Sequence, residues 1–158
     1  MVINVSNKRA QIYCGFPGVG KSSVFNTQKE LGLTILDSDS SQFSWISKGE
    51  RHPDFPNNYM DHIIENINKA DIIMVSTHTE VLDALWNRVN GLVTIVYPDP
   101  SLKEEYLERY HKRGSDSNFI NLMNSKWESF IDGIERDNRF RKIKLKSGQY
   151  MSDAINIK

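Results

Sequence analysis

Gly15-Phe16-Pro17-Gly18-Val19-Gly20-Lys21-Ser22 matches G-x-x-x-x-G-K-[ST] in full, and its residue types suit one task. Glycines let backbone N–H groups close around an anion without side-chain obstruction. A helix opening near Lys21 would point its positive end at the same anion. The Lys21 ammonium would supply a mobile cation at a transferring phosphate of ATP, and the Ser22 hydroxyl is suited to ligate Mg2+. Ser23, next in line, completes the expected ATP-binding set. A glycine-rich turn can fit the pattern by chance, but here an apolar strand precedes it and helical spacing follows, the context the mechanism requires.

Two carboxylates follow the next apolar segment, in Asp37-Ser38-Asp39-Ser40-Ser41. At a strand end they would face the phosphate loop across the crevice of a parallel sheet. Asp37 is then a candidate to support the metal. Asp39 is a candidate to orient or deprotonate an acceptor hydroxyl, or to hold a sugar. An N-cap and Asx-turn cluster uses the same residue types, and that reading stays open. The stretch from Phe43 to Tyr59 is too aromatic for a plain exposed loop. Phe43 and Tyr59 could wall an acceptor, Arg51 meet its phosphate and Asn58 an amide edge, while core packing explains the aromatics equally well. His78 follows a buried strand that should end at the site, which makes it a candidate contact to acceptor or phosphate. His52, His62 and His111 show no metal-ligand spacing. Cys14 lies in the strand before the loop with no evident catalytic partner.

Arg109 and Arg113 stand at i and i+4, so both guanidinium groups share a helix face. Converging on phosphate oxygens, they would neutralise the migrating group. The competing reading is a solvated face paired with Glu105 and Glu108. Gly114 and the polar Ser115-Asp116-Ser117-Asn118 would suit the hinge of a lid over about 99–118. The basic run Arg136 to Lys146 is interleaved with an edge strand and favours a solvated surface over nucleic-acid binding.

These groups need a frame. Strands are expected at Arg9–Cys14, Leu33–Asp37, Asp71–Val75, Leu92–Tyr97 and Arg141–Leu145. Helices are expected from Lys21 to about Leu31, around Tyr59–Ile67, over Val81–Val89, from Ser101 to about Arg113, and around Phe119–Ile134. Thr77 with Glu80, and Ser101 with Glu104, have capping-box spacing. Alternation of this kind predicts a three-layer α/β/α sandwich on a mainly parallel five-stranded sheet, a P-loop NTPase fold in one domain of 158 residues. Twenty Lys+Arg against twenty Asp+Glu give no basic excess for coating nucleic acid. No apolar run reaches the ~20 residues of a membrane span, and a lone cysteine suits a reducing cytoplasm. Oligomeric state is not written in the sequence.

The apolar strand ending Met74-Val75-Ser76-Thr77-His78 lacks the acid that motor and switch NTPases place there, and no Asn-Lys-x-Asp guanine-reading motif occurs. The phosphate loop, the Asp37-Ser38-Asp39 step and the late arginine pair together resemble the small P-loop kinases of the nucleoside monophosphate kinase type. Asp39-Ser40-Ser41, Phe55-Pro56-Asn57-Asn58-Tyr59 and Arg109-Tyr110 with Arg113-Gly114 are similar to phage-encoded nucleotide kinases. The Asp-Gly-x-Pro-Arg signature of cellular adenylate-type kinases is missing. The resemblance implies a central first strand, Mg2+ and ATP as donor, a helical arginine lid, and Lys146-Ser147-Gly148-Gln149 bordering the adenine. The expected activity is phosphoryl transfer to a nucleotide-like acceptor, foremost a (deoxy)nucleoside monophosphate. Two other functions fit the motif: a kinase for a polynucleotide hydroxyl or modified base, and a non-catalytic ATP-binding regulator.

Overall fold

The computed structural model describes residues 10–21, 24, 32–37, 45–47, 50–89 and 93–154; of Asp37, 45–47, Glu50 and Arg51 it describes the backbone alone. Five strands build the main sheet: β1 (Gln11–Gly15), β2 (Ile35–Asp37), β5 (Ile72–Val75), β6 (Val93–Pro98) and β7 (Arg141–Leu145). A small antiparallel pair, β3 (Trp45–Ser47) and β4 (Glu50–Arg51), stands apart from it. The strand order is β2-β5-β1-β6-β7, and every neighbouring pair is parallel. This is the expected P-loop α/β fold, with its first strand central.

The apolar runs explain why these segments pair. Every residue of β5 and β6 is buried, and in β1 only Gln11 is exposed. Strands covered on both faces need no alternation, and parallel sheets bury both. Each fully enclosed side chain such as Ile12, Ile73 or Ile95 contributes roughly 1.5–3 kcal/mol. β7 differs: Arg141 and Lys144 are exposed along its length, as suits an edge.

The helices are α1 (Asn57–Asn66), α2 (Thr79–Arg88), α3 (Lys103–Lys112), α4 (Ser117–Arg136) and the short α5 (Met151–Ala154). Helix α1 packs beside α2, and α3 beside α4, which also touches β6. No helix among the described residues is long and apolar enough to cross a membrane.

Two expected capping boxes are corrected. Helix α2 starts at Thr79 with His78 as its N-cap, so Thr77 lies outside it. Before α3, Asp99 takes the capping role: its Oδ1 accepts from the Ser101 N–H at 3.0 Å and hydroxyl at 2.8 Å. A 3-10 turn, Pro100–Leu102, therefore intervenes, and α3 opens at Lys103. Trp86 of α2 is 55% exposed and stands edge-on to Phe140 at 5.8 Å. At the end of α3, Gly114 adopts φ +77° while Ser115 N–H donates to Tyr110 O and Gly114 N–H to His111 O. That pair of bonds is a Schellman cap, which only a residue tolerant of left-handed φ completes without strain.

Candidate functional site

The phosphate loop leaves the carboxyl end of β1, the middle strand, and runs into helical residues at Lys21 and Val24. Gly18 and Gly20 adopt φ +91° and +98°, the left-handed region that turns successive N–H groups inward. Neither of those N–H groups has an acceptor among the described residues. Other members of the expected ATP-binding set have different tasks. Phe16 donates its N–H to Val96 O at 2.9 Å and buries its ring edge-on to Trp127 at 5.4 Å. Val19 N–H turns back to Phe16 O at 3.2 Å, and Pro17 has no N–H to give. Phe16 thus anchors the loop, while Gly18 and Gly20 present it.

Lys21 Nζ donates to Gly15 O at 2.7 Å, so the chain folds back across the loop it follows. That contact explains Gly15: a Cβ there would lie 2.9 Å from Lys21 Cγ and Cδ. Ser22, Ser23, Asp39 and Phe43 lie outside the described residues. The Mg2+ expected at Ser22 therefore has no donor set to test, and among the described residues no group of His, Cys, Asp and Glu could hold a metal. Left-handed glycines, a helix opening and the Lys21 ammonium are the features that an anion-binding loop requires.

Asp37 ends β2 and pairs in register with Met74, which also pairs with Tyr13 of β1. Two strand spacings, about 10 Å, thus separate its backbone from that of the strand leading into the loop. His78 follows β5 at the same edge of the sheet, one strand from β1. Both stand on the side where parallel sheets gather ligands. Arg51 pairs with Trp45 in the β3–β4 ribbon, and its side chain lies outside the description. Asn58 Oδ1 accepts from the N–H of Tyr59 at 2.9 Å. Tyr59 itself is 0% exposed, with Phe55 stacked against it at 6.2 Å, so its observed work is packing.

The two arginines of α3 share a face as expected and then divide their tasks. Arg109 is 12% exposed as a side chain. Its Nη1 donates to Gly18 O at 2.8 Å, and its Nη2 to Gln149 O at 3.1 Å and Glu105 Oε2 at 3.0 Å. The guanidinium lies between the rings of Tyr106 at 4.3 Å and Tyr150 at 4.0 Å. Arg113 is exposed, lies over Tyr110 at 5.0 Å and donates from Nε to Ser115 Oγ at 2.8 Å. Tyr110 in turn donates its hydroxyl to Pro17 O at 2.8 Å. Tyr106 and Tyr110 are wholly buried against Gly18, so α3 is docked on the loop. Burial pushes the Tyr106 phenol up to about 12 and raises that of Tyr110 further, so both stay neutral; Tyr110 donates to Pro17 O, whereas the buried Tyr106 hydroxyl has no hydrogen-bond partner among the described residues.

The segment after β7 closes the other flank, and sequence reasoning missed how. Met151 N–H donates to Val19 O at 2.6 Å. Tyr150 lies over Gly20, where a Cβ would stand 3.1 Å from its ring. Cys14 is fully buried, and desolvation raises its thiol to about 12 despite Lys21 nearby, which removes it as a nucleophile. Part of the basic run is paired: Arg136 with Asp132, Arg139 with Asp83 and Asp137, and Lys144 with Glu135. Lys142 donates to the Glu135 carbonyl at the end of α4.

No protein-family model and no curated protein sequence matches the chain. Among solved structures, it is similar to YorR of Bacillus subtilis, crystallised in complex with phosphorylated GDP: TM-score 0.56, 16% identity, over 91% of this chain and 89% of that one. The fold is shared. An uncharacterized protein from Eubacterium ventriosum is similar at TM-score 0.46 and 12% identity, over 93% of this chain and 94% of that one.

Proposed function

We propose that this chain is an ATP- and Mg2+-dependent kinase that transfers a γ-phosphoryl group to a nucleotide-like acceptor, foremost a (deoxy)nucleoside monophosphate. One observation carries the reading. The phosphate loop turns through left-handed backbone at Gly18 and Gly20, at the carboxyl end of the central strand, where Lys21 begins a helix. Such a cradle suits the β- and γ-phosphates of a nucleotide, and phosphoryl transfer is mostly positioning and charge stabilisation. The fold-mate's bound guanine nucleotide is in keeping with a nucleotide at this edge of the sheet.

In this reading Lys21 leaves the Gly15 carbonyl to meet the transferring phosphate, an exchange of one acceptor for a charged one. Arg113, exposed at the end of α3, would meet the migrating group. Arg109, committed to Gly18 and Gln149, holds the loop in shape. Bound Mg2+ would neutralise phosphate charge from Ser22, with Asp37 as support. Asp39, beyond the end of β2, would orient the acceptor, and His78 would contact it from the neighbouring strand end.

Coupled ADP release, measured over a panel of ribo- and deoxynucleoside monophosphates with ATP and GTP as donors, tests the reading. Acceptor-dependent turnover by wild type is expected, with a drop of ~10²-fold or more in Lys21→Ala. Full activity in folded Lys21→Ala would overturn it. Asp39→Asn should lower acceptor-dependent turnover while leaving ATP binding intact. Loss of ATP affinity with unchanged acceptor kinetics would move that residue to the metal.

A further inference from the structure

Every carbonyl from Gly15 to Gly20 accepts a hydrogen bond. Lys21 Nζ meets Gly15 O, the Val19 N–H meets Phe16 O, and the Val24 N–H meets Gly20 O. The three between are held from outside the loop. Pro17 O accepts from the Tyr110 hydroxyl at 2.8 Å, Gly18 O from Arg109 Nη1 at 2.8 Å, and Val19 O from the Met151 N–H at 2.6 Å. A carbonyl turned toward an anion repels it, so the direction of these oxygens decides whether the loop can hold one.

A peptide unit is planar, and in its trans form the N–H points opposite to the C=O. The peptides of the loop are all trans. Whatever holds Pro17 O therefore aims the Gly18 N–H, and whatever holds Val19 O aims the Gly20 N–H. Those are the two glycine amides that have no acceptor among the described residues. Glycine at 18 has no Cβ to resist rotation of the peptide before it, so that orientation needs a bond from outside. The bond is not a by-product of packing. Tyr106 is as deeply buried against the same glycine, and its hydroxyl finds no partner among the described residues.

We infer that Tyr110 is a positioning residue for phosphate binding: its hydroxyl holds the Pro17–Gly18 peptide in the orientation that presents the Gly18 N–H to the phosphates of a nucleotide. The inference rests on the phosphate-binding reading of the loop given above. The Gly20 N–H has a different holder, the main chain of Met151, so the two amides must respond separately to loss of the hydroxyl.

Amide-resolved NMR titration with inorganic tripolyphosphate reads the two amides side by side in wild type, Tyr110→Phe and Tyr97→Phe. Tyr97 lies in β6 and donates its hydroxyl to Glu135 Oε2 at 3.1 Å, away from the loop, so Tyr97→Phe controls for the loss of one bonded phenol hydroxyl. In wild type the amide protons of Gly18 and Gly20 should both move downfield. Tyr110→Phe should lose the Gly18 shift, keep the Gly20 shift and bind about tenfold more weakly, the worth of one hydrogen bond to a charged group. Tyr97→Phe should match wild type. A Gly18 shift that persists in Tyr110→Phe, or equal loss at both glycines, would overturn the inference and leave the hydroxyl as a prop of the fold. If Tyr110→Phe does not fold, wild type decides: a Gly18 amide that moves at saturation supports the inference, and one that stays still overturns it. Wild type that does not bind tripolyphosphate at all would instead overturn the phosphate-loop reading itself.

Discussion

Arg109→Lys and Arg113→Lys preserve charge on one helix face, yet the structure requires them to behave differently in thermal unfolding. Arg109 is almost enclosed, donates to two carbonyl oxygens and a carboxylate, and fills the gap between Tyr106 and Tyr150. A lysine ammonium has no fork and can satisfy only part of that set from one point. The change removes two hydrogen bonds to carbonyl oxygens, each roughly 1–1.5 kcal/mol, and a stacked cation worth roughly 0.5–1 kcal/mol. With one bond recovered by the ammonium, the net loss is about 2 kcal/mol, or ~4–8 °C in Tm for a chain of this size. Arg113 makes one bond, to the Ser115 hydroxyl, from an exposed position. Its replacement should move Tm by less than ~1 °C, as surface changes do. Differential scanning fluorimetry at neutral pH reads both. Turnover completes the test, since Arg113→Lys should lower kcat by ~10–10³-fold at saturating substrates if it meets the migrating phosphate. Equal Tm values for the two variants would refute the assignment of Arg109 to the loop.

Gly18→Ala and Gly20→Ala should both weaken triphosphate binding, but Gly18→Ala should cost the more stability. Its Cβ would lie 2.9 Å from buried Tyr110, whereas at Gly20 half-exposed Tyr150 can move; the strain at each is about 1–3 kcal/mol before that clash, readable by urea unfolding. Cys14 should resist iodoacetamide at pH 8 in the native chain and react fully in denaturant, because burial keeps the thiol protonated; native labelling would contradict its enclosure. Glu105 has a folded pKa below its unfolded one, so the stability it adds is complete above about pH 4.5 and is lost as pH falls through the folded value. The Tm gap between wild type and Glu105→Gln should accordingly hold steady from pH 7 to about pH 4.5 and close in stronger acid.

The sheet was legible because its strands speak with one voice. Ile72–Val75 is apolar throughout and Val93–Pro98 at every position but Thr94, and only a strand covered on both faces needs that. Even the edge strand Arg141–Leu145 has the bounds its mixed pattern suggested. Helix starts were less legible, since several residues competed for one cap. Asp99 precedes Pro100 and outbids Ser101, a signal present in the Pro98-Asp99-Pro100 triplet itself. The split between Arg109 and Arg113 also had a sign in the repeat Tyr106-x-x-Arg109 and Tyr110-x-x-Arg113, which stacks each guanidinium on the preceding turn of the helix. The docking of Tyr150 and Met151 had none. Short-range periodicity cannot announce a contact between segments at opposite ends of a chain.

That contact orders events during synthesis. The phosphate loop is made well before the segments that seat it: Val19 waits for the N–H of Met151, and Gly18 for an arginine itself braced by Gln149. Until the segment after β7 is made, the loop has its glycines and α3 but not its other flank, and closing that flank carries the entropy of the intervening chain. The shape of the phosphate loop thus depends on the segment after β7 as much as on its own glycines.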